Sequence, residues 1–258
     1  MTRFAHAIAR RPASNFLTGI TTSDLGVPDY ETAYRHHAAY CSALTAAGLD
    51  VTVLEPDARY PDSTFVEDTA VIAGARAMLT RPGAPSRLGE VAAMREPLWR
   101  FFEHLDEIRA PGTLDGGDVC EAGSHVFIGV SHRTNSEGAQ QLAAWLARDG
   151  NTAALIDIRD LDEILHLKSG MAYVGNDTFV VIDALLPRLD LGNAAVIRTL
   201  PAETYGANCI AVNDVVLLPT DHPQLQADLT KRGFTTKELD VSEYRKMDGG
   251  LSCLSLRF

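Results

Sequence analysis

The segment MDGGLSC (247–253) sets a thiol directly behind a Gly-Gly pair and a serine. Glycine lets a backbone approach a ligand closely, so this turn can present Cys253 as a nucleophile. Burial as a small hydrophobe is the other reading of the same residue. A cysteine nucleophile needs an imidazole, and the imidazole needs a carboxylate that holds it in one tautomer. Such partners are usually distant in sequence and adjacent in space. His166 stands between Leu165 and Leu167 in EILHLKSG (163–170), where it is either a satisfied core histidine or that imidazole. Asp115, in the Gly-rich stretch PGTLDGGDV (111–119), can be the carboxylate. Cys41, in a helical pattern, and Cys120 and Cys209, in apolar strand contexts, read as buried hydrophobes. The cysteines are widely spaced and form no C-x-x-C, so no structural zinc site is expected.

A second group of residues concerns charge. Asp62, Glu67 and Asp68 crowd PDSTFVEDT (61–69), which is either a solvated turn or an acidic pocket. Buried carboxylates repel one another unless a cation offsets them, and a guanidinium suits planar, paired hydrogen bonds. Successive strand residues face opposite ways, so Glu67 and Asp68 need a bend to share a pocket. Arg87 in APSRLGE and Arg133 in SHRTN can clamp a carboxylate, although loop arginines are commonly just exposed. A net charge of −11 argues against nucleic-acid binding, which relies on basic patches, and permits a cationic ligand.

These residues must be positioned by short elements. DYETAYRHHAAYCSALTAAGLD reads as a helix closed at Gly48, followed by the strand VTVL. GEVAAMREPLWRFFEHL, NSEGAQQLAAWLARDG and HPQLQADLTKRG read as further helices. Hairpins are expected around Gly74, Gly123, Gly175–Asn176 and Asn213–Asp214. FAHAIAR reads as a first strand rather than a leader, and LSCLSLRF belongs to a last strand pair. The order strand–hairpin–helix recurs, and about five such units fit the length; units that cannot bury their own apolar faces stack radially or in a row. Two-residue turns imply antiparallel pairs, which disfavours a doubly wound parallel sheet. No linker interrupts the chain, so residues 1–258 are expected to form a single domain. No apolar run approaches the roughly 18–20 residues of a membrane span, and the thiols are expected to be reduced in a cytoplasm.

The motifs DSTFVED, RPGAPSRLGE, TLDGGD, SHRTN, LHLKSG and SEYRKMDGGLSCLSLRF resemble those of the dimethylarginine dimethylaminohydrolases, a family of the pentein, or guanidine-modifying, superfamily. The likeness runs from the first strand to the last residue. It implies an α/β fold, a five-bladed α/β propeller with the active site on its axis. It also implies hydrolysis of asymmetric dimethylarginine, and of monomethylarginine, to citrulline and the amine through a thiouronium adduct on cysteine. Cys253 is then the nucleophile, His166 the general acid/base, and Asp115 the carboxylate beside them. Some members have Glu at that last position. The likeness further implies that Asp68 and Glu67 hold the guanidinium, and that Asp62, with backbone groups near Ile20 and Met247, holds the α-amino end. Arg87 and Arg133 would bind the α-carboxylate, and LTGITTSDLG (17–26) would be a mobile lid. No cofactor or catalytic metal is implied, and the partner is a small-molecule substrate, bound by a monomer or homodimer. The acidic pocket disfavours a thiolate, so Cys253 is expected to rest unionised until a cation arrives. An arginine deiminase, with ammonia as leaving group, is the nearest alternative. A non-catalytic module for arginine-like amino acids would need the carboxylates and arginines but neither Cys253 nor His166. An amide-cleaving cysteine hydrolase fits poorly, because carboxylates repel an oxyanion.

Overall fold

The computed structural model describes residues 3–258, so Met1 and Thr2 of the expected domain lie outside the described residues. β1 (His6–Arg10) leads through the helix Tyr30–Ala46 to β2 (Asp50–Leu54), which pairs parallel with it. Four copies of one pattern follow. β3 (Ala70–Ala73) and β4 (Arg76–Leu79) form a hairpin, and β5 (Leu105–Glu107) joins β4 in parallel. β6 (Val119–Ala122) and β7 (His125–Val130) pair likewise, with β8 (Thr152–Asp157) beside β7. β9 (Met171–Gly175), β10 (Thr178–Val181) and β11 (Ala195–Arg198) make the next sheet. β12 (Ile210–Val212), β13 (Val215–Pro219) and β14 (Thr235–Leu239) make another. Finally β15 (Leu256–Arg257) returns to pair antiparallel with β1, so the two ends of the chain together complete the fifth sheet.

The turns obey local chemistry. Gly74 and Gly123 take positive φ in their hairpins, and Asn213 does so in the β12–β13 hairpin. In the β9–β10 hairpin the turn residues are Asn176 and Asp177, both at positive φ, one place later than the expected Gly175–Asn176. Each parallel third strand needs a crossover. Helices Tyr30–Ala46, Ser136–Ala147 and Pro223–Lys231 supply three of them. The expected helix over 89–105 is broken: Glu90–Met94 is a 3-10 turn, and only Arg95–Trp99 is α-helical. Pro97 cannot donate to the carbonyl four residues back and is tolerated only in a first turn, so the helix restarts just ahead of it.

The first strands of the sheets line the axis. β6 lies against β9, β9 against β12, and β15 against β3. Their residues surround a cavity of about 140 Å³ along the axis, lined among others by Val71, Cys120, Ala172, Ile210 and Leu256. Apolar clusters fill the space between sheets and under the helices. One joins Phe127, Ile156, Val180 and Leu218 across three sheets.

Candidate active site

Every axial strand is entered through a short helical turn. Val66–Thr69 precedes β3, Gly116–Asp118 precedes β6, Leu167–Gly170 precedes β9, Pro201–Asn208 precedes β12, and Ser252–Leu254 precedes β15. These turns touch in a ring: the first meets the second and the last, the third meets the second and the fourth, and Asn208 bonds Ser252 to close it. Side chains far apart in sequence therefore converge at one end of the axis. Cys253, His166, Asp68, Asp62, Arg87 and Arg133 line one small cavity there, with Ile20, Phe65 and Met247 on its walls.

The imidazole is held on one edge and given room on the other. His166 Nε2 lies 3.0 Å from Asp115 Oδ2, and the other oxygen of Asp115 accepts the Gly83 N–H at 2.9 Å. On the opposite edge Gly117 leaves room that a side chain would remove. A Cβ there would stand 2.8 Å from His166 Nδ1 and 2.9 Å from Asp68 Oδ1. Burial alone would lower the His166 pKa, but the charges of Asp68 and Asp118 and the bond to Asp115 outweigh it and raise it to about 9. Burial works the other way on Asp68. The charges of His166 and Arg87, with hydrogen bonds from Arg87 and Gly117, overcome it and hold Asp68 at about 2. Cys253 keeps part of its surface toward the cavity, yet protein surrounds it. That burial, with the charges of Glu67 and Asp68, pushes its thiol up to about 12. The pair is thus a thiol and an imidazolium at neutral pH.

Comparison with known proteins gives the same answer from the whole chain. The family model described as arginine deiminase matches residues 58–202. A curated N(G),N(G)-dimethylarginine dimethylaminohydrolase of Pseudomonas aeruginosa is 41% identical over 256 residues, covering 99% of this chain and all of the relative. The chain belongs to the dimethylarginine dimethylaminohydrolase family. A crystal structure of that bacterial enzyme, as a cysteine-to-serine variant complexed with citrulline, superimposes with a TM-score of 0.96 and covers 100% of both chains. A dimethylarginine dimethylaminohydrolase adduct with S-methyl-L-thiocitrulline, in a histidine-to-glycine variant, matches with a TM-score of 0.95 at 41% identity, covering 99% of this chain and 100% of the other. The five-bladed α/β propeller is the fold of this family.

In this family member the other expected residues are not all where the motifs imply. Asp62 accepts the Ile20 N–H at 3.1 and 3.2 Å, so the segment 17–26 caps its carboxylate, and burial raises its pKa. The same segment is pinned further: Thr21 Oγ1 donates to the Lys246 carbonyl and the Thr22 N–H to Asp248 Oδ2, at 2.9 and 2.6 Å. Met247 lies beside Gly19 on the cavity wall. Glu67 is outside this cavity. It sits on the axial side, where it accepts Lys168 Nζ at 2.6 Å, Ser252 Oγ at 2.8 Å and Arg257 Nη2 at 3.4 Å. Consecutive residues of a 3-10 turn point about 120° apart, so Asp68 can enter the cavity only if Glu67 leaves it.

Arg87 lines the same cavity as Arg133 but is not an open loop arginine. It is buried, and its guanidinium turns inward to Asp68 (2.6 Å), Glu90 (2.8 Å) and the Phe65 carbonyl (3.0 Å). Burial opposes its charge, but Asp68 and Glu90 more than compensate and raise its pKa. Arg133 is half-buried, and among the described residues no carboxylate pairs with its guanidinium. Sequence reasoning missed Asp118. Its carboxylate is fully buried, accepts the Leu167 N–H at 2.9 Å and Ser131 Oγ at 2.7 Å, and is pushed up to about 6 by burial. The signal was the second acid of LDGGD, directly after the glycine that abuts the imidazole. Asp68, Asp115 and His166 bring donor atoms within 4.8 Å of one another, a spacing a metal ion could use, but each already has a protein partner.

Proposed function

We propose that this chain hydrolyses asymmetric Nω,Nω-dimethylarginine and Nω-monomethylarginine to citrulline and the corresponding amine. The observation that carries the reading is the meeting of Cys253, His166 and Asp68 in one cavity beside Arg133, whose guanidinium pairs with no carboxylate among the described residues, in a chain similar throughout to a dimethylarginine dimethylaminohydrolase. Asp68, ionised at neutral pH, faces the substrate guanidinium. Arg133 binds the α-carboxylate, and Asp62 with the lid backbone binds the α-amino group. Arg87 steadies Asp68, so it shapes the charge of the cup rather than contacting the far end of the substrate.

The guanidinium carbon is a poor electrophile because its charge is delocalised. Its own cation offsets the field of Asp68 and Glu67, so binding favours loss of the Cys253 proton to solvent. The thiolate attacks the carbon, and the bond to the dimethylamino nitrogen breaks as His166, protonated at rest, gives that nitrogen a proton. The neutral imidazole then takes a proton from water. That water attacks the thiouronium carbon, the C–S bond breaks as the new hydroxyl gives its proton to solvent, and citrulline leaves with the thiolate restored. The adduct trapped on a relative with S-methyl-L-thiocitrulline supports this route.

The family-model match to arginine deiminase favours one other reading, in which arginine is the substrate and ammonia leaves. Incubation with dimethylarginine and, separately, with arginine decides between them. Citrulline and dimethylamine are expected from the first; preferential release of ammonia from arginine overturns the assignment. Residues 1–258 would act as one catalytic domain, as a monomer or homodimer. The unpaired thiols suit a reducing, cytoplasmic setting. No helix among the described residues is long and apolar enough to cross a membrane.

A further inference from the structure

Four of the five turns in the ring carry, or directly follow, one of the site residues Asp68, Asp115, His166 and Cys253. The fifth ends at Asn208, which no step employs. Asn208 is 5% exposed, lies outside the cavity that holds Cys253, and has its whole amide engaged. Nδ2 donates to the Lys168 carbonyl at 2.9 Å and to Ser252 Oγ at 3.0 Å, and Oδ1 accepts the Ser252 N–H at 3.0 Å. Lys168 belongs to the helical turn capped by His166. Ser252 immediately precedes Cys253. The circuit closes through Glu67, which accepts both Lys168 Nζ and Ser252 Oγ. Gly250 is shaped by the same contact, since a Cβ there would fall 2.2 Å from Asn208 Oδ1.

We infer that Asn208 is a positioning residue: by tying Ser252 to the Lys168 backbone it fixes the nucleophile's turn against the histidine's turn. The inference rests on the reading of Cys253 and His166 as the reacting pair. A planar amide offers two donors and an acceptor at fixed angles, and this site uses all three. Aspartate keeps the acceptor for Ser252 N–H but loses both donors and adds a charge beside Glu67. Alanine loses everything. A shift of about 1 Å between reacting groups can cost roughly 100-fold in rate, whereas substrate affinity depends on the cavity walls, which Asn208 does not form.

The test compares the wild-type chain with Asn208→Asp, Asn208→Ala and Ser252→Ala, using asymmetric dimethylarginine as substrate and scaling rates to folded protein measured by thermal melting. The expected result is a fall in kcat of at least ~10-fold for the Asn208 variants, with KM kept within about twofold. The smaller Ser252→Ala change, which supplies the reading if the Asn208 variants do not fold, is expected to lower kcat at least ~5-fold with the same constancy of KM. The Asn208→Asp/Ser252→Ala pair is expected to be no slower than its worse member, because both break one circuit. Unchanged kcat per folded molecule, the result of a purely structural role, overturns the inference. So does a rise in KM at constant kcat. A wild-type chain that releases no citrulline overturns the proposed function itself, which is a different outcome from an active wild type with an indifferent Asn208.

Discussion

At the scale of single residues the decisive quantity is where protons sit before substrate arrives. Cys253 stands at about 12 and His166 at about 9, so the resting pair holds both protons at neutral pH. Two outcomes follow from the signs. Alkylation of Cys253 by iodoacetamide should be slow at neutral pH and quicken as pH rises, and a saturating cationic amino acid that cannot react should increase the thiolate absorbance at fixed pH. A resting thiolate well below neutral pH would sink this account. His166 acts first as an acid, and its pKa is raised, so its imidazolium persists above the ordinary range near 6.5 and is lost as pH passes about 9. The kcat/KM profile, which reports the free enzyme, should therefore fall on its alkaline side about there, and His166→Gln should remove both the fall and most of the rate, roughly 100-fold or more. Cys253→Ser should abolish turnover while ligand binding survives. Cys253, His166 and Asp115 were legible because nucleophile, imidazole and carboxylate are rare types in Gly-rich or apolar settings. Asp118 and Asn208 were not, because what they do is set by Leu167, Lys168 and Ser252, forty or more residues away along the chain.

At the scale of elements, the site is a set of five strand entrances, and their tightness explains the glycines. In the last entrance, Gly249 lies under the Phe65 ring, where a Cβ would stand 2.3 Å from Cε1, and Gly250 lies under Asn208. Gly250→Ala should cost about 1–3 kcal/mol from overpacking, with kcat reduced at least ~10-fold and the far-ultraviolet spectrum retained. Thermal melts and steady-state rates check this; an alanine variant of normal activity would mean that the turn has slack. Hairpins were readable from Gly74, Gly123 and Asn213 because turn chemistry is local. The placement of Glu67 was not. The family resemblance put Glu67 and Asp68 on one guanidinium, which needs a bend, but the 3-10 turn Val66–Thr69 still divides them between the axial cavity and the catalytic one. The helix over 89–105 failed for the same kind of reason: its apolar spacing was helical, but Pro97 vetoed the hydrogen bonds that spacing assumed.

At the scale of the whole molecule, the ring of sheets is closed by the ends of the chain. β15 pairs with β1 through Ile8 opposite Leu256 and Ala7 opposite Arg257, and the Phe258 carbonyl accepts the N–H groups of Ala5 and His6 at 2.8 and 2.7 Å. The Phe258 ring packs 5.0 Å from the centroids of both Phe101 and Phe102, fastening the first sheet to the second. Because Cys253 lies on the turn into β15, closure of the fold and placement of the nucleophile are one event. Deleting residues 256–258 removes the burial of Leu256, worth about 1.5–3 kcal/mol, and ladder bonds worth about 1 kcal/mol each. The sum is a large share of the roughly 5–15 kcal/mol that holds a domain together. The truncated chain should therefore lose its cooperative melt, or melt well over 10 °C lower, and lose citrulline formation in step. Phe258→Ala, which keeps the ladder and loses only the ring, should melt a few degrees lower and retain most activity. A truncated chain that melts with the intact one would show that the sheets stand without the closing strand. The nucleophile's position would then have to be explained by the ring of turns alone.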